Sequence, residues 1–229
     1  MADAMNKPSI PTLLSFNAGY LDTAGFLALH GLFTAHVTGN FVTLGAALVL
    51  GATGVMGKLL ALPFFCFVVI LARLLRYLLI ARDKPVLRTL LMLKLILLVF
   101  GAALALGYGP FPNGDGVAAV ITGLAFVAAM AIQNAVQRVH LAGAPPTTLM
   151  TGSTTQLMLD IADKIHGVPA DQDAAINARI GRLSSAVAVF ALGCGLGALL
   201  FNLFGTTCFI VSPLIAFIAY QHKDARAAT

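Results

Sequence analysis

"HVTGNFVTLG", residues 36–45, interrupts an apolar N-terminal stretch with a histidine, two threonines, an asparagine and two glycines. At residues 150–157, "MTGSTTQL" repeats nearly the same signal. These two stretches decide the fold, because what surrounds them is almost wholly apolar. Of 229 residues, 59% are hydrophobic and 10% charged, with no glutamate. Soluble domains carry about 25% charged residues, so so few charges cannot cover a water-facing surface. The apolar runs approach or exceed the roughly 20 residues that cross a bilayer. The chain, 1–229, is therefore expected to be a single integral membrane domain. No cleavable signal peptide is apparent, because the first apolar run lacks an Ala-x-Ala exit.

Around the two interruptions the runs fall into order. Residues 13–31 read as a spanning helix with polar insertions, and 38–51 as a shorter stretch of re-entrant length. Residues 58–81 and 87–108 are long runs joined by "ARDKPVLR". After the turn "GYGPFPNGDG", residues 116–137 form another span, 139–150 a break with Pro145 and Pro146, and 151–162 a short helix. A polar loop, 163–182, then leads to closing spans at 183–204 and 206–221. The second half thus retraces the first: repeat 1 covers about 12–110 and repeat 2 about 114–222. Such internal repeats mark transporter and channel folds.

Charge orders the spans. If each TG segment enters the membrane and returns to the same side, each half crosses three times and the second half is inverted. Lys58 is then the one outer cation of fourteen. Arg76, Arg82, Lys84, Arg88, Arg138, Lys164, Arg179, Arg182, Lys223 and Arg226 fall on the inner side, as the positive-inside rule requires. Arg73 and Lys94 lie within spans and are expected to snorkel toward that face. Eight full crossings break the rule. The expected fold is an all-α polytopic membrane protein: six transmembrane helices plus two re-entrant half-helices in a 3+3 inverted repeat. Both termini are expected in the cytoplasm. The same distribution excludes nucleic acid as a partner despite a pI near 9.4, leaving the lipid bilayer and a small-molecule or ion substrate. A homo-oligomer stays open.

A helix that begins inside a membrane has unpaired N–H groups, which Thr, Ser and Asn can cap. Its N-terminus carries partial positive charge suited to an anion or polarised oxygen. Thr38, Gly39, Asn40 and Thr43 are expected around one such start. Thr151, Gly152, Ser153, Thr154 and Gln156 are expected around the other. The plainer alternative is that Thr and Gly only permit close helix packing. Asp22, near the middle of its span, is a candidate coupling group or a partner of Asn134, Arg138 or Arg73, since an acid at membrane depth is costly. Gln133 and Asn134 lie deep in their span and join the substrate-binding candidates.

Other signals read as structure. His30 and His36 match no metal spacing. Asp160, with Asp163 and Lys164, reads as a solvated turn. Cys66, Cys194 and Cys208 read as buried free thiols. "GCGLGA" at 193–198 fits a dinucleotide pattern but lies in an apolar span. Gly193 and Gly197 there suit close helix contact. No metal or cofactor motif is present.

"GYLDTAGFLALHGLFTAHVTGNFVTLG" together with "AIQNAVQRVHLAGAPPTTLMTGSTTQLMLD" resembles the YoaK-like family of bacterial membrane proteins, a domain of unknown function. The resemblance spans essentially the whole chain. It implies an inner-membrane, multi-pass protein and implies no substrate or reaction. The expected function is a small transporter or channel for a polar or anionic solute. A structural or partner-modulating membrane protein is the alternative. An intramembrane enzyme ranks last, because Ser153 lacks a nucleophile elbow and no paired-acid or HExxH motif exists.

Overall fold

The computed structural model describes residues 8–222, and Lys223 and Arg226 lie outside them. Among these residues the chain forms eight α-helices and no strand. They are α1 (Ile10–Ala28), α2 (Gly39–Leu50), α3 (Val55–Ile80), α4 (Val86–Tyr108), α5 (Val117–His140), α6 (Met150–His166), α7 (Ala170–Phe204) and α8 (Val211–Gln221). A 3₁₀ turn, Gly205–Ile210, joins α7 to α8. Four helices are long and apolar enough to cross a membrane: α3, α4, α5 and the near-continuous 170–221. The protein is thus a helical membrane protein. Its many exposed Leu, Ile, Phe and Val side chains suit a lipid surround, where outward apolar surface costs nothing.

Helix α1 differs. Asn17, Tyr20 and Asp22 make it less apolar, yet all three are buried. Helices α7, α8 and α5 pack against it, so its polar groups meet protein instead of lipid. Tyr20 donates its hydroxyl hydrogen to the Cys208 carbonyl at 2.8 Å. Ser212 donates to the Asn17 amide oxygen at 2.6 Å. Helix α1 packs mainly along α7, and α5 packs along both α3 and α4. Helix α2 lies on α3, α6 on α7, and α8 against α4 and α1.

The α1–α7 seam depends on glycine. A Cβ at Gly193 would overlap the Phe16 carbonyl oxygen, and one at Gly197 that of Tyr20. From the other side, a Cβ at Gly19 would overlap the Phe190 carbonyl oxygen. Small residues let two backbones meet this closely in a membrane, as the Gly193–Gly197 spacing suggests.

The ends of the bundle gather specific turns. At one end His30 Nε2 is 2.7 Å from the Phe111 carbonyl oxygen. Asp115 accepts from the Gly54 and Met56 amides, at 3.0 and 2.7 Å, and so caps α3. At the other end the 81–85 turn, residues 141–149 and the start of α1 come together; there Arg88 stacks over the Tyr220 ring.

Four expectations need correction. The segment 163–182 is not a loop: α6 continues to His166 and α7 starts at Ala170. Polar side chains tie these two helices. Arg179 donates twice to Asp160, at 2.6 and 2.7 Å, and Lys164 donates to Asp173 at 2.6 Å. Asp171 and Asp173 also favour the positive end of α7. Asp160 is accordingly fully buried rather than a solvated turn residue. Lys94 does not snorkel: it is fully buried and donates to the Gln133 side-chain oxygen at 2.6 Å. The cysteines are free, but Cys66 is exposed and Cys194 half-buried, and only Cys208 is buried.

Gly193→Val should force α1 and α7 apart and destabilise the fold by about 1–3 kcal/mol, the usual cost of overpacking. Gly195→Ala, where an added Cβ meets nothing, should leave it unchanged. Thermal unfolding in detergent reads both.

Candidate functional site

Two chain breaks organise the interior. The first, 29–38, leaves the end of α1 and folds back beside it. Asp22 lies six residues before the helix end, and its carboxylate holds the returning strand. Oδ1 accepts from the Thr34 and Ala35 amides at 2.7 and 2.8 Å, and more weakly from the Thr34 hydroxyl at 3.3 Å. Oδ2 lies 2.8 Å from His36 Nδ1. Asn40 makes a second clamp. Its amide oxygen accepts from the Phe33 N–H at 2.8 Å, and its amide nitrogen donates to the Phe33 carbonyl at 2.9 Å. These contacts satisfy backbone groups that lipid could not.

The second break, 141–149, is held by α5, through two threonine hydroxyls and two backbone carbonyls. Asn134, again six residues before its helix end, accepts from the Thr148 hydroxyl at 2.8 Å and donates to the Met130 carbonyl at 2.9 Å. Gln133 donates to the Thr147 hydroxyl and to the Leu14 carbonyl, each at 3.0 Å, while receiving Lys94. Gln137 donates to the Leu141 and Ala144 carbonyls at 2.8 and 3.2 Å.

Between the breaks lies a cavity of about 480 Å³. Ala35, Val37 and Thr38 line it from the first break, and Leu149 from the second. Helix α3 supplies Leu62, Phe65, Val69, Ala72, Arg73 and Arg76. Helix α5 supplies Asn134, Ala135, Arg138 and Val139, and α4 supplies Leu90. The volume lies within the range of ligand pockets, which are mostly apolar with a few convergent polar groups.

The sequence-predicted residues divide. Thr38 and Asn134 face this shared cavity. Asp22, Asn40 and Gln133 are buried behind it, their polar atoms engaged by the breaks. Thr43 is half-buried and donates to the Asn40 carbonyl at 3.4 Å. Gly39 packs beside the Phe33 ring. Thr151 and Thr154 line an open groove on the outer face of α6; Gly152 and Gln156 are also exposed, with Gln156 donating to Asp160 at 2.7 Å. Ser153 is buried, its hydroxyl without a partner.

The expected caps do not form. Thr38 makes no side-chain cap on α2, and α6 is preceded by Leu149. The polar side chains that complete the breaks come from α1 and α5 instead. Asp22 does not meet Asn134, Arg138 or Arg73; its partners are Thr34, Ala35 and His36. Arg76 and Arg138, read from sequence as inner-side charges, and Arg73, read as snorkelling from within its span, are cavity residues. Their signal was spacing: Arg73 and Arg76 share a face at i, i+3.

Asp22→Ala would leave two buried amides without an acceptor, at about 1–3 kcal/mol each, and should destabilise the fold by roughly 2–5 kcal/mol. Asp22→Asn keeps one acceptor oxygen and should cost less. Unfolding in detergent orders the two, and equal effects would rule out the clamp. At α6, the Arg179 guanidinium holds the Asp160 carboxyl below its ordinary range, with Gln156 adding to this and burial opposing it. The lowered pKa makes the pair stabilising above the unfolded value of 3.8 and ineffective once pH falls through the lower folded value. Asp160→Asn should therefore lower the melting temperature at pH 7, and its gap to the native protein should narrow as pH falls below 3.8.

Neither a curated protein nor a solved structure matches the chain. A family model does, over residues 10–221, from the start of α1 to the end of α8. The chain therefore belongs to the family described as protein of unknown function DUF1275.

Proposed function

We propose that the protein is a small transporter or channel for a polar or anionic solute, its site being the cavity between the two breaks. One observation carries this reading: both breaks turn back beside a helix and both line the same cavity. Discontinuous helices meeting inside a membrane are how many transporters build their sites.

The architecture that goes with it is six crossings and two re-entrant half-helices in a 3+3 inverted repeat. The crossings are α1, α3, α4, α5, α7 and the 3₁₀ turn with α8; the half-helices are α2 and α6. Packing supports the repeat. Exchanging the halves turns the α1–α7 contact into α5–α3, α2–α3 into α6–α7, and α4–α5 into α8–α1, and every one of these pairs packs. The placement of Asp22 and Asn134, each six residues before its helix end, supports it too. Charge orients the bundle: the end with Arg76, Arg82, Lys84, Arg88 and Arg138 would face the cytoplasm, in an inner membrane. In this reading Asp22 and His36 tune the first break, while Asn40, Gly39 and Thr43 shape the start of α2. Gln133, Thr151, Gly152, Ser153, Thr154 and Gln156 serve the second break and its half-helix. The function is not enzymatic, and the partners are lipid and solute.

The test is cysteine accessibility in sealed vesicles, on a background with Cys66, Cys194 and Cys208 replaced by serine. Thr38→Cys and Asn134→Cys should react with a membrane-impermeant thiol reagent. Asn40→Cys, behind the cavity wall, should react at least tenfold more slowly. Silence at both cavity positions would sink the transport reading in favour of a structural or partner-modulating protein.

A further inference from the structure

We infer that the cavity takes an amphiphilic anion: a carboxylate or phosphate head at its arginines and an acyl or similar apolar tail along α3. The inference rests on the reading of this cavity as the solute site and names the substrate class.

The walls are divided by chemistry. Arg73, Arg76 and Arg138 all come from the last turns of their helices, so the cations gather at one end of the cavity. From Arg76 back to Leu62 the lining of α3 spans about 21 Å at 1.5 Å per residue. That stretch presents Phe65 and Val69 and is otherwise almost wholly apolar. A small hydrophilic anion would satisfy the arginines but leave the apolar length unfilled. A neutral apolar molecule would fill the length but leave the guanidinium groups bare. An anion with a tail meets both.

The arginines need such a head. Among the described residues none of the three forms an ion pair with a carboxylate. The Arg76 Nε–H is buried and has no acceptor, which native structures rarely tolerate. Arg73 bonds through Nε to the Tyr77 hydroxyl at 3.0 Å, leaving its terminal nitrogens for another acceptor. Guanidinium groups are suited to forked recognition of carboxylate and phosphate oxygens. Arg82, in the turn after α3, is exposed like Arg73 and Arg138 but lines no part of the cavity.

The head could belong to a free acyl anion or to an anionic phospholipid, and one experiment separates them. The chain has no tryptophan, so Phe65→Trp places a single indole in the cavity wall; Val69→Trp serves if that variant fails to fold. The purified full-length protein in neutral detergent is titrated with three bromine-labelled quenchers: dodecanoate, phosphatidylglycerol and dodecyltrimethylammonium. Saturable quenching by an anionic probe is expected, and which anion quenches at lower concentration identifies the source. Arg73→Gln, Arg76→Gln and Arg138→Gln should each raise its Kd at least fivefold, while Arg82→Gln leaves it unchanged. Equal quenching by the cationic probe overturns the inference. So does a Kd indifferent to all three substitutions, or a rise of the same size on Arg82→Gln. Binding in micelles requires no passage across a membrane. Anion binding with silent Thr38 and Asn134 cysteines would keep the ligand and discard transport. Reactive cysteines with no anion binding would do the reverse.

Discussion

The Asp22 carboxylate that receives the Thr34 and Ala35 amides is the interaction on which the rest of the structure depends. A chain that leaves its helix inside an apolar bundle has backbone groups with no water to receive them. Asp22 satisfies two of them and Asn40 satisfies the Phe33 amide and carbonyl. With the first break fixed beside α1, the start of α2 is fixed too, and α2 packs on α3. The position of α3, and thus one wall of the cavity, follows. Gln133, Asn134 and Gln137 impose the same condition on the second break.

Charge is distributed in keeping with this arrangement. The acid is buried where backbone donors neutralise it, and the arginines lie where the cavity opens between α3 and α5. Lys94 completes the pattern: with no carboxylate beside it among the described residues, it serves the Gln133 oxygen and helps fix the amide that holds Thr147. Polar groups at depth in this protein mostly bind its own irregular backbone. The cavity arginines differ: among the described residues they have no carboxylate partner, and an apolar length lies beside them.

Much of this could be read in the sequence. The breaks stood out because polar residues are scarce around them, and the Gly193–Gly197 seam was legible from spacing alone. The ends of α2, α3, α4 and α5 fell within a few residues of expectation, while Gly167 and Pro169 mark a helix junction inside what reads as a long loop. The α6–α7 region was misread because its charges look like loop when counted singly; only pairing, as between Asp160 and Arg179, makes them helix. The same limit applied to the site. Thr38 and Asn40 are neighbours in sequence, but one faces the cavity and the other is turned into the break. No local pattern records that choice, because it is set by where α1 and α5 bring their side chains. The arginines were hidden by the charge rule: a residue read as marking one side of a membrane gives no sign that it also lines a cavity.

The glycine seam between α1 and α7 has a consequence for biosynthesis. Helix α1, with its buried polar side chains, is made well before the helix that shelters it, which starts 142 residues after α1 ends. At a synthesis rate of about 5–20 residues per second, that delay is on the order of ten seconds. Throughout it Asn17 and Tyr20 lack the Ser212 and Cys208 groups that engage them in the finished protein. The nascent chain must wait with its future centre exposed, and release into the bilayer before α7 arrives would strand the Asn17 amide and the Tyr20 hydroxyl among acyl chains. Assembly of this protein is therefore a problem of retention as much as of insertion, with whatever inserts it holding the first helix until nearly the last has emerged.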